Sequence, residues 1–301
     1  MKNALVIDLE HWYSNEFLTK YLPSEKVDQD LEAVKPIIDL LEKYNVSATF
    51  AVLGTYAKRN PELIKKIHDK GHEIQSHCYS HKTLKELGKD AFEDEIKRSV
   101  DLLESITGEK PVGFRAPSFS IDNSTKWAFE ILEKYGFKYD SSIFPIKTML
   151  YGEPKAPVNI YKPCKEDITK YDSKGKIIEF PMTVLKIGIN IPIAGGFYLR
   201  IFPLWFLKLG IRHVNKKRPV IIYIHPWETY PNTPRFKLPL FSRFVAYYGI
   251  NSSLSKFEAL LNEFEFSTIN DVLDDYSCLS DSSVKSQNLM HENYSSDAVG
   301  K

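Results

Sequence analysis

Apolar positions along this chain follow two alternating patterns. Short continuous or alternating apolar runs read as strands, at Ala4 to Leu9, Ser47 to Leu53, His72 to Ser76, Val112 to Ala116, Phe137 to Ser141, Ile177 to Phe180, Val220 to Ile224 and Phe266 to Asn270. Between them, apolar residues recur at helical spacing. Leu31, Val34, Ile37, Ile38 and Leu41 mark a helix over Asp30 to Tyr44, closed by Asn45. Asn60-Pro61-Glu62 is a helix start with proline in the first turn, and Gly71 stops that helix. Asp90 and Glu93 have capping-box spacing ahead of a helix that runs to Thr107, before Gly108. Ser124 to Tyr135 and Leu254 to Phe264 are further helices. Ala194 to Leu209 is apolar and aromatic, with Gly195-Gly196 at its start and Pro203 inside.

Strand and helix in alternation predict a parallel sheet or a βα barrel. The rhythm loosens from Pro145 to Lys174, which reads as an inserted loop; this segment and Tyr230 to Tyr248 are expected to shape a groove. One α/β domain over residues 1–273 is therefore expected, with an insertion at about 145–175. From about Asp274 the chain is rich in Ser, Asp and Asn with almost no apolar content, and residues 274–301 are expected to be a disordered tail.

Composition narrows the function. The chain has 301 residues, 43% hydrophobic and 26% charged, enough for a substantial core. Net charge is +1 and no basic stripe is visible, so nucleic acid is not an expected partner. Three distant cysteines, Cys78, Cys164 and Cys278, do not make a disulfide framework and fit a reducing compartment. The opening MKNALVIDLE is too short and polar for a signal peptide, and no apolar run reaches membrane-spanning length, so a cytoplasmic location is expected.

Chemistry enters through position. Asp8, His77, Arg115, Asp140 and His225 each end a separate predicted strand, and a βα barrel gathers such positions at one mouth. His77 and His81 form an H-x3-H pair in a loop after a strand, a candidate metal grip that by itself also fits two surface histidines. Asp8 and Glu10, two apart on a strand, point the same way. One can bind a metal while the other acts as base; they can equally be solvated strand-end acids. Arg115 can hold a carboxylate bidentately or make a structural salt bridge. Asp140 can orient a histidine or an arginine, or cap the Ser141-Ser142 turn. His225 suits a general acid, since imidazole titrates in the right range, or a hydrogen-bonded core histidine. Cys78 is a possible soft ligand, or packs inward.

The motifs IDLEHW, SHCYSH, FRAPSF, YDSS and IHPWE occur in the order of the five motifs of the polysaccharide deacetylase family, the NodB-homology domain of carbohydrate esterase family four. The resemblance spans roughly Leu5 to Leu273. The stretches IIEFP, AGGFYLR and HPWETYPNTPRF resemble a subgroup associated with exopolysaccharide or surface-glycan loci. The resemblance implies a distorted (β/α) barrel of about seven strands. It implies Asp8 as catalytic base, His77 and His81 as metal ligands, Arg115 as the residue that positions the base, His225 as general acid and Asp140 as the group that tunes it. Glu10 stands where some relatives carry the metal-binding carboxylate. The sequence departs from the family's usual first motif at Leu9, where a second Asp is commonest, and at Cys78, where a small residue is usual.

The implied activity is metal-dependent removal of N-acetyl groups from amino sugars of a polysaccharide or glycan precursor. The ion is a divalent metal, Zn²⁺ first, with Co²⁺, Ni²⁺ or Fe²⁺ as alternatives. Asp8 takes the proton of the attacking water, backbone N–H groups near Ser118 help hold the oxyanion, and His225 protonates the leaving amine. Two other readings stay open: a deformylase or amidase acting on a lipid-linked sugar or small amide, and a non-catalytic glycan-binding barrel. The expected partner is an N-acetylated glycan or its precursor. The aromatic stretch Phe197 to Leu209 offers a possible peripheral membrane contact, or a barrel helix packed on the sheet.

Overall fold

The structure is a computed structural model that describes residues 1–276. In chain order its elements are β1 (Asn3–Leu9), α1 (Asp30–Tyr44), β2 (Thr49–Val52), α2 (Gly54–Arg59), α3 (Pro61–Asp69), β3 (Glu73–Ser76), α4 (Leu84–Thr107), β4 (Gly113–Phe114), α5 (Ala128–Lys134) and β5 (Tyr139–Asp140). They continue with β6 (Ile178–Glu179), β7 (Val184–Ile187), β8 (Ile189–Pro192), α6 (Gly196–Ile201), α7 (Leu204–Val214), β9 (Ile221–Ile224), α8 (Pro226–Thr229), α9 (Leu240–Tyr247), α10 (Ile250–Leu261) and β10 (Phe266–Ser267). A helical stretch at 269–276 ends the described chain. The tail expected from Asp274 otherwise lies outside the described residues, as does Cys278.

Seven parallel strands form one curled sheet in the order β9-β1-β2-β3-β4-β5-β6. This is the expected distorted (β/α) barrel. β10 adds a short eighth strand that pairs only with Asn3 and Ala4 of β1. Among the described residues the sheet does not close by strand pairing between β6 and β9. The gap is spanned by side chains: the Ile221 N–H donates to Thr183 Oγ1 at 2.7 Å, and Arg218 Nη2 donates to the Val184 carbonyl at 3.1 Å. The antiparallel β7–β8 hairpin lies beside this seam.

The alternation within β1 explains how the site is aimed. Leu5, Ile7 and Leu9 pack outward against the helices, with Val34, Ile37 and Leu41 of α1 and Phe257 and Leu260 of α10. Burial of each such side chain contributes about 1.5–3 kcal/mol. Ala4 and Val6 face the barrel interior beside Phe180, Tyr198 and Tyr223. Asp8 is next on the inward face, where the apolar filling stops and the mouth begins.

Several boundaries differ from the sequence expectation. The α4 cap is Thr83 with Glu86 rather than Asp90 with Glu93: Glu86 Oε2 accepts from the Thr83 N–H at 2.8 Å, and Thr83 Oγ1 accepts from the Glu86 N–H at 3.4 Å. Gly88, at φ +71°, breaks this helix, so its long second piece begins near the predicted start. The stretch from Ala194 to Leu209 folds as two helices because Pro203 caps α7 instead of continuing α6. Residues 145–174 form an irregular loop, tied down by the isolated bridges Tyr161↔Glu179 and Pro163↔Tyr171.

Candidate active site

Strand ends deliver the polar residues to one place. Arg115 is fully buried and its Nη1 donates to both Asp8 oxygens, at 2.9 and 3.2 Å. The expected two-pronged grip is not formed, because Arg115 Nε is taken by the Ser141 carbonyl and hydroxyl, each at 3.2 Å. One nitrogen bridging two oxygens still fixes the Asp8 carboxylate in the interior.

Beside Asp8, the side chains of Glu10, His77 and His81 bring one ligand atom each within 4.8 Å of one another. The loop between the histidines is held in place by Glu95 of α4, whose Oε2 accepts from the N–H groups of Tyr79 and Ser80 at 2.9 and 2.7 Å. Cys78 and His81 take left-handed backbone conformations, with φ of +61° and +62°. Cys78 turns inward into the core around Phe92 and Phe114, so it is not part of the ligand set.

The donor set fits a divalent ion of the zinc type: one carboxylate and two imidazoles, the composition of catalytic sites that keep a position open. His77 Nδ1 contacts the Arg115 carbonyl at 2.8 Å, which puts the proton on Nδ1 and leaves Nε2 free to bind. Trp227 Nε1 donates to Glu10 Oε1 at 3.3 Å. The other oxygen, Oε2, is buried without a hydrogen bond and faces Nε2 of both histidines, in close contact with His81 and 3.9 Å from His77. Burial pushes Glu10 up, but the imidazoles of His81, His225 and His77 outweigh it and hold the carboxyl well below its usual range. Burial lowers His77 to about 4, so it is a neutral donor near pH 7.

His225 lies across from this group. Its Nε2 is 3.7 Å from Asp8 Oδ2 and 3.5 Å from Glu10 Oε1, and its ring stacks on Trp227 with centroids 5.1 Å apart. Its Nδ1 donates to Glu228 Oε2 at 2.7 Å. Burial opposes the charged form, but Glu10, Glu228 and Asp8 raise His225 to about 10, so it carries a proton to give. Glu228 was not a candidate in the sequence reading. The available signal was its place in IHPWE, three residues after His225, where a helix N-terminus brings a side chain back to its cap.

Asp140 does not reach His225; the carboxylate that contacts the His225 Nδ1 is Glu228. Asp140 is buried in the barrel wall, where Ser142 donates to its Oδ1 and Glu179 is its neighbouring carboxyl. The turn-capping alternative describes it better. Burial raises Asp140 to about 6 and, with Asp140 alongside, raises Glu179 well above the carboxylate range. Asp140 Oδ2 and Glu179 Oε2 have no other donor, so a proton shared between the two acids satisfies both. The native state then keeps protons that the unfolded chain releases. The pair's contribution is intact at low pH and lost as pH rises from about 4 towards 6 and beyond. In Glu179→Gln the amide replaces that proton and still accepts from the Ile143 N–H. This variant is expected to be more stable than wild type by about 1–2 kcal/mol at pH 8, with no gain at pH 4. Denaturant unfolding at the two pH values checks this, and parallel pH profiles refute it.

The site opens into a cavity of about 390 Å³. Its walls are largely apolar, with Phe17, Leu150, Tyr151, Phe197, Phe241 and Phe244 among the lining residues. The 145–174 insertion and the segment from Tyr230 to Tyr248 thus both contribute to the groove, as expected. The rim is exposed, with Met149 79% and Phe241 57% accessible. Ser118 and Phe119, both with positive φ at 52° and 48°, line it on the Arg115 side.

Comparison with known proteins fits this geometry. Residues 27–139 match the family model described as polysaccharide deacetylase, and residues 141–274 match one described as a domain of unknown function, DUF3473. Over 102 residues the chain is 37% identical to the peptidoglycan-N-acetylglucosamine deacetylase of Bacillus cereus, covering 34% of this chain and 37% of that protein. Over 107 residues it is 36% identical to the peptidoglycan deacetylase of Helicobacter pylori, covering 36% of each. The match thus spans little more than a third of each relative's length. Among solved structures, a Mycobacterium smegmatis protein described as a candidate polysaccharide deacetylase superposes with a TM-score of 0.60 at 17% identity, over 93% of this chain and 92% of that one. That likeness is one of fold.

Proposed function

We propose, from the premise that this chain carries a polysaccharide deacetylase domain over residues 27–139, that it is a metal-dependent hydrolase removing N-acetyl groups from amino sugars of a glycan. The observation that carries the reading is the convergence, at one cavity floor, of a three-residue ligand set with a carboxylate and a protonated imidazole beside it. Glu10, His77 and His81 would hold the ion, which when bound would polarise the acyl carbonyl and make water a better nucleophile at neutral pH. Asp8, fixed by Arg115, accepts the water's proton. His225, oriented by Glu228, gives its proton to the leaving amine. The products are acetate and a free amino sugar. Acetate release from N-acetylated glycan fragments by the metal-loaded protein tests the reading. Its absence across chitin and peptidoglycan fragments, with the metal bound, sinks it.

A second reading concerns the substrate carrier. The catalytic floor lies where two depressions meet. One is the apolar cavity; the other is more polar, lined by residues that include Tyr13, Thr19, Arg59 and Glu86, and the two share Glu16, His81 and Ser118. A polar saccharide carrying a hydrocarbon part matches both walls, which favours a lipid-linked precursor as substrate. The exposed apolar rim then meets the lipid surface. The membrane contact considered for Phe197 to Leu209 narrows to Trp205 and Leu209 on α7, both more than half exposed. Among the described residues no helix is long and apolar enough to cross a membrane. Phe241→Ser/Phe244→Ser is expected to lower turnover of a lipid-linked N-acetylated saccharide about tenfold or more and to leave a water-soluble oligosaccharide unaffected. Equal losses on both substrates would reject the lipid carrier.

A further inference from the structure

The segment AGGFYLR has no part in the mechanism above, yet it is built around Glu228. A Cβ on Gly196 would sit 1.8 Å from Glu228 Oε2, so only glycine leaves room for the carboxylate. Four residues on, Arg200 is 2% exposed and donates to Glu228 Oε1 from Nε at 3.1 Å and from Nη2 at 3.0 Å. Its remaining donors reach the carbonyls of Tyr248, from Nη1 at 2.7 Å, and Val245, from Nη2 at 2.8 Å. Glu228 therefore has one oxygen held by Arg200 and the other holding the Nδ1–H of His225.

We infer that Arg200 is a positioning residue for the acid: seated by Gly196, it locks Glu228, and Glu228 locks the tautomer and orientation of His225. A histidine that donates from Nε2 must also keep its other proton on Nδ1, and that requires a fixed acceptor. A buried carboxylate with only one partner would swing or take up a proton, and Arg200 removes both options. The inference rests on His225 being the acid of the proposed reaction, but the arrangement is also testable without turnover.

The first arm is proton NMR of the whole protein. The His225 Nδ1–H, bonded to a buried carboxylate, is expected to give a downfield resonance that is absent from His225→Asn. In Arg200→Met it is expected to be lost or moved, and in Arg200→Lys, which keeps the charge in the same packing, it is expected to be weakened. An unchanged resonance in either folded variant overturns the inference. The second arm is acetate release from chitopentaose by the zinc-loaded protein. Arg200→Met is expected to lower kcat roughly 10- to 100-fold with KM within about twofold, and to have no further effect in a Glu228→Gln background. If the two losses multiply, Arg200 acts by holding the Val245–Tyr248 backbone and the inference falls. If wild type releases no acetate, the deacetylase reading fails on this probe, and the NMR arm still decides the role of Arg200.

Discussion

Asp8→Asn is expected to lower kcat for acetate release by about 10²–10⁴, with metal content unchanged. The amide keeps the shape and one accepting oxygen for Arg115 Nη1, but it cannot take a proton from water. The substitution also leaves the fully buried Arg115 without its anion. Loss of one partner from a buried pair costs about 3–5 kcal/mol when nothing replaces it. The retained amide oxygen and the Ser141 contacts reduce that cost, so a moderate fall in melting temperature is expected beside the large fall in rate. Metal analysis separates the two effects, because the Asp8 oxygens are not in the ligand set. Wild-type turnover in Asp8→Asn would remove Asp8 as base.

The second large effect concerns the ion. Purified protein is expected to hold about one divalent ion per chain by elemental mass spectrometry, and His77→Ala/His81→Ala is expected to hold none and release no acetate. Binding should also fall with pH in a particular way. His77 is already neutral above about 4 and offers little competition from protons. His81 behaves differently: burial lowers it, but the Glu10 carboxylate outweighs burial and raises it above the ordinary imidazole range. A proton on His81 must leave before Nε2 can bind, so affinity is expected to weaken as pH falls through that raised pKa. Titration with Zn²⁺ at several pH values checks the slope. An ion retained by the double variant would place the metal elsewhere.

Residues whose placement follows from strand ends were legible before any coordinates. Asp8, His77, Arg115 and His225 meet because parallel strands place their C-terminal ends at one rim. The partner of His225 was not legible in the same way. Asp140 ends a strand too, but four strands lie between β5 and β9 along the sheet, and its side chain is committed to Ser142 and Glu179. Glu228 wins by locality, since α8 is a single turn that folds its carboxylate back onto His225. Arg200 was hidden for a different reason. Its seat depends on the close approach of α6 and α8 at Gly196, a tertiary event that no spacing along the chain records. The wrong cap for α4 has a local cause: two acidic capping patterns lie within one segment, and the break at Gly88 lets the earlier one start a helix of its own.

The neighbouring positions of β1 and β9 bear on how such a chain can diversify. The two strands run side by side from Ala4↔Ile221 to Ile7↔Ile224, so Asp8 and His225 emerge next to each other although 217 positions apart. The border between the two matched sequence regions, at residues 139 and 141, falls between them. Asp8, Arg115 and the candidate ligands Glu10, His77 and His81 lie on one side of that border; His225, Glu228 and Arg200 lie on the other. In the proposed mechanism neither side alone supplies both the proton acceptor and the proton donor. A recombination event at the border joins a proton acceptor from one lineage to a proton donor from another, and the hybrid works only if β9 enters in the same register against β1. If both groups act in the proposed reaction, the second region is expected to change in step with the first.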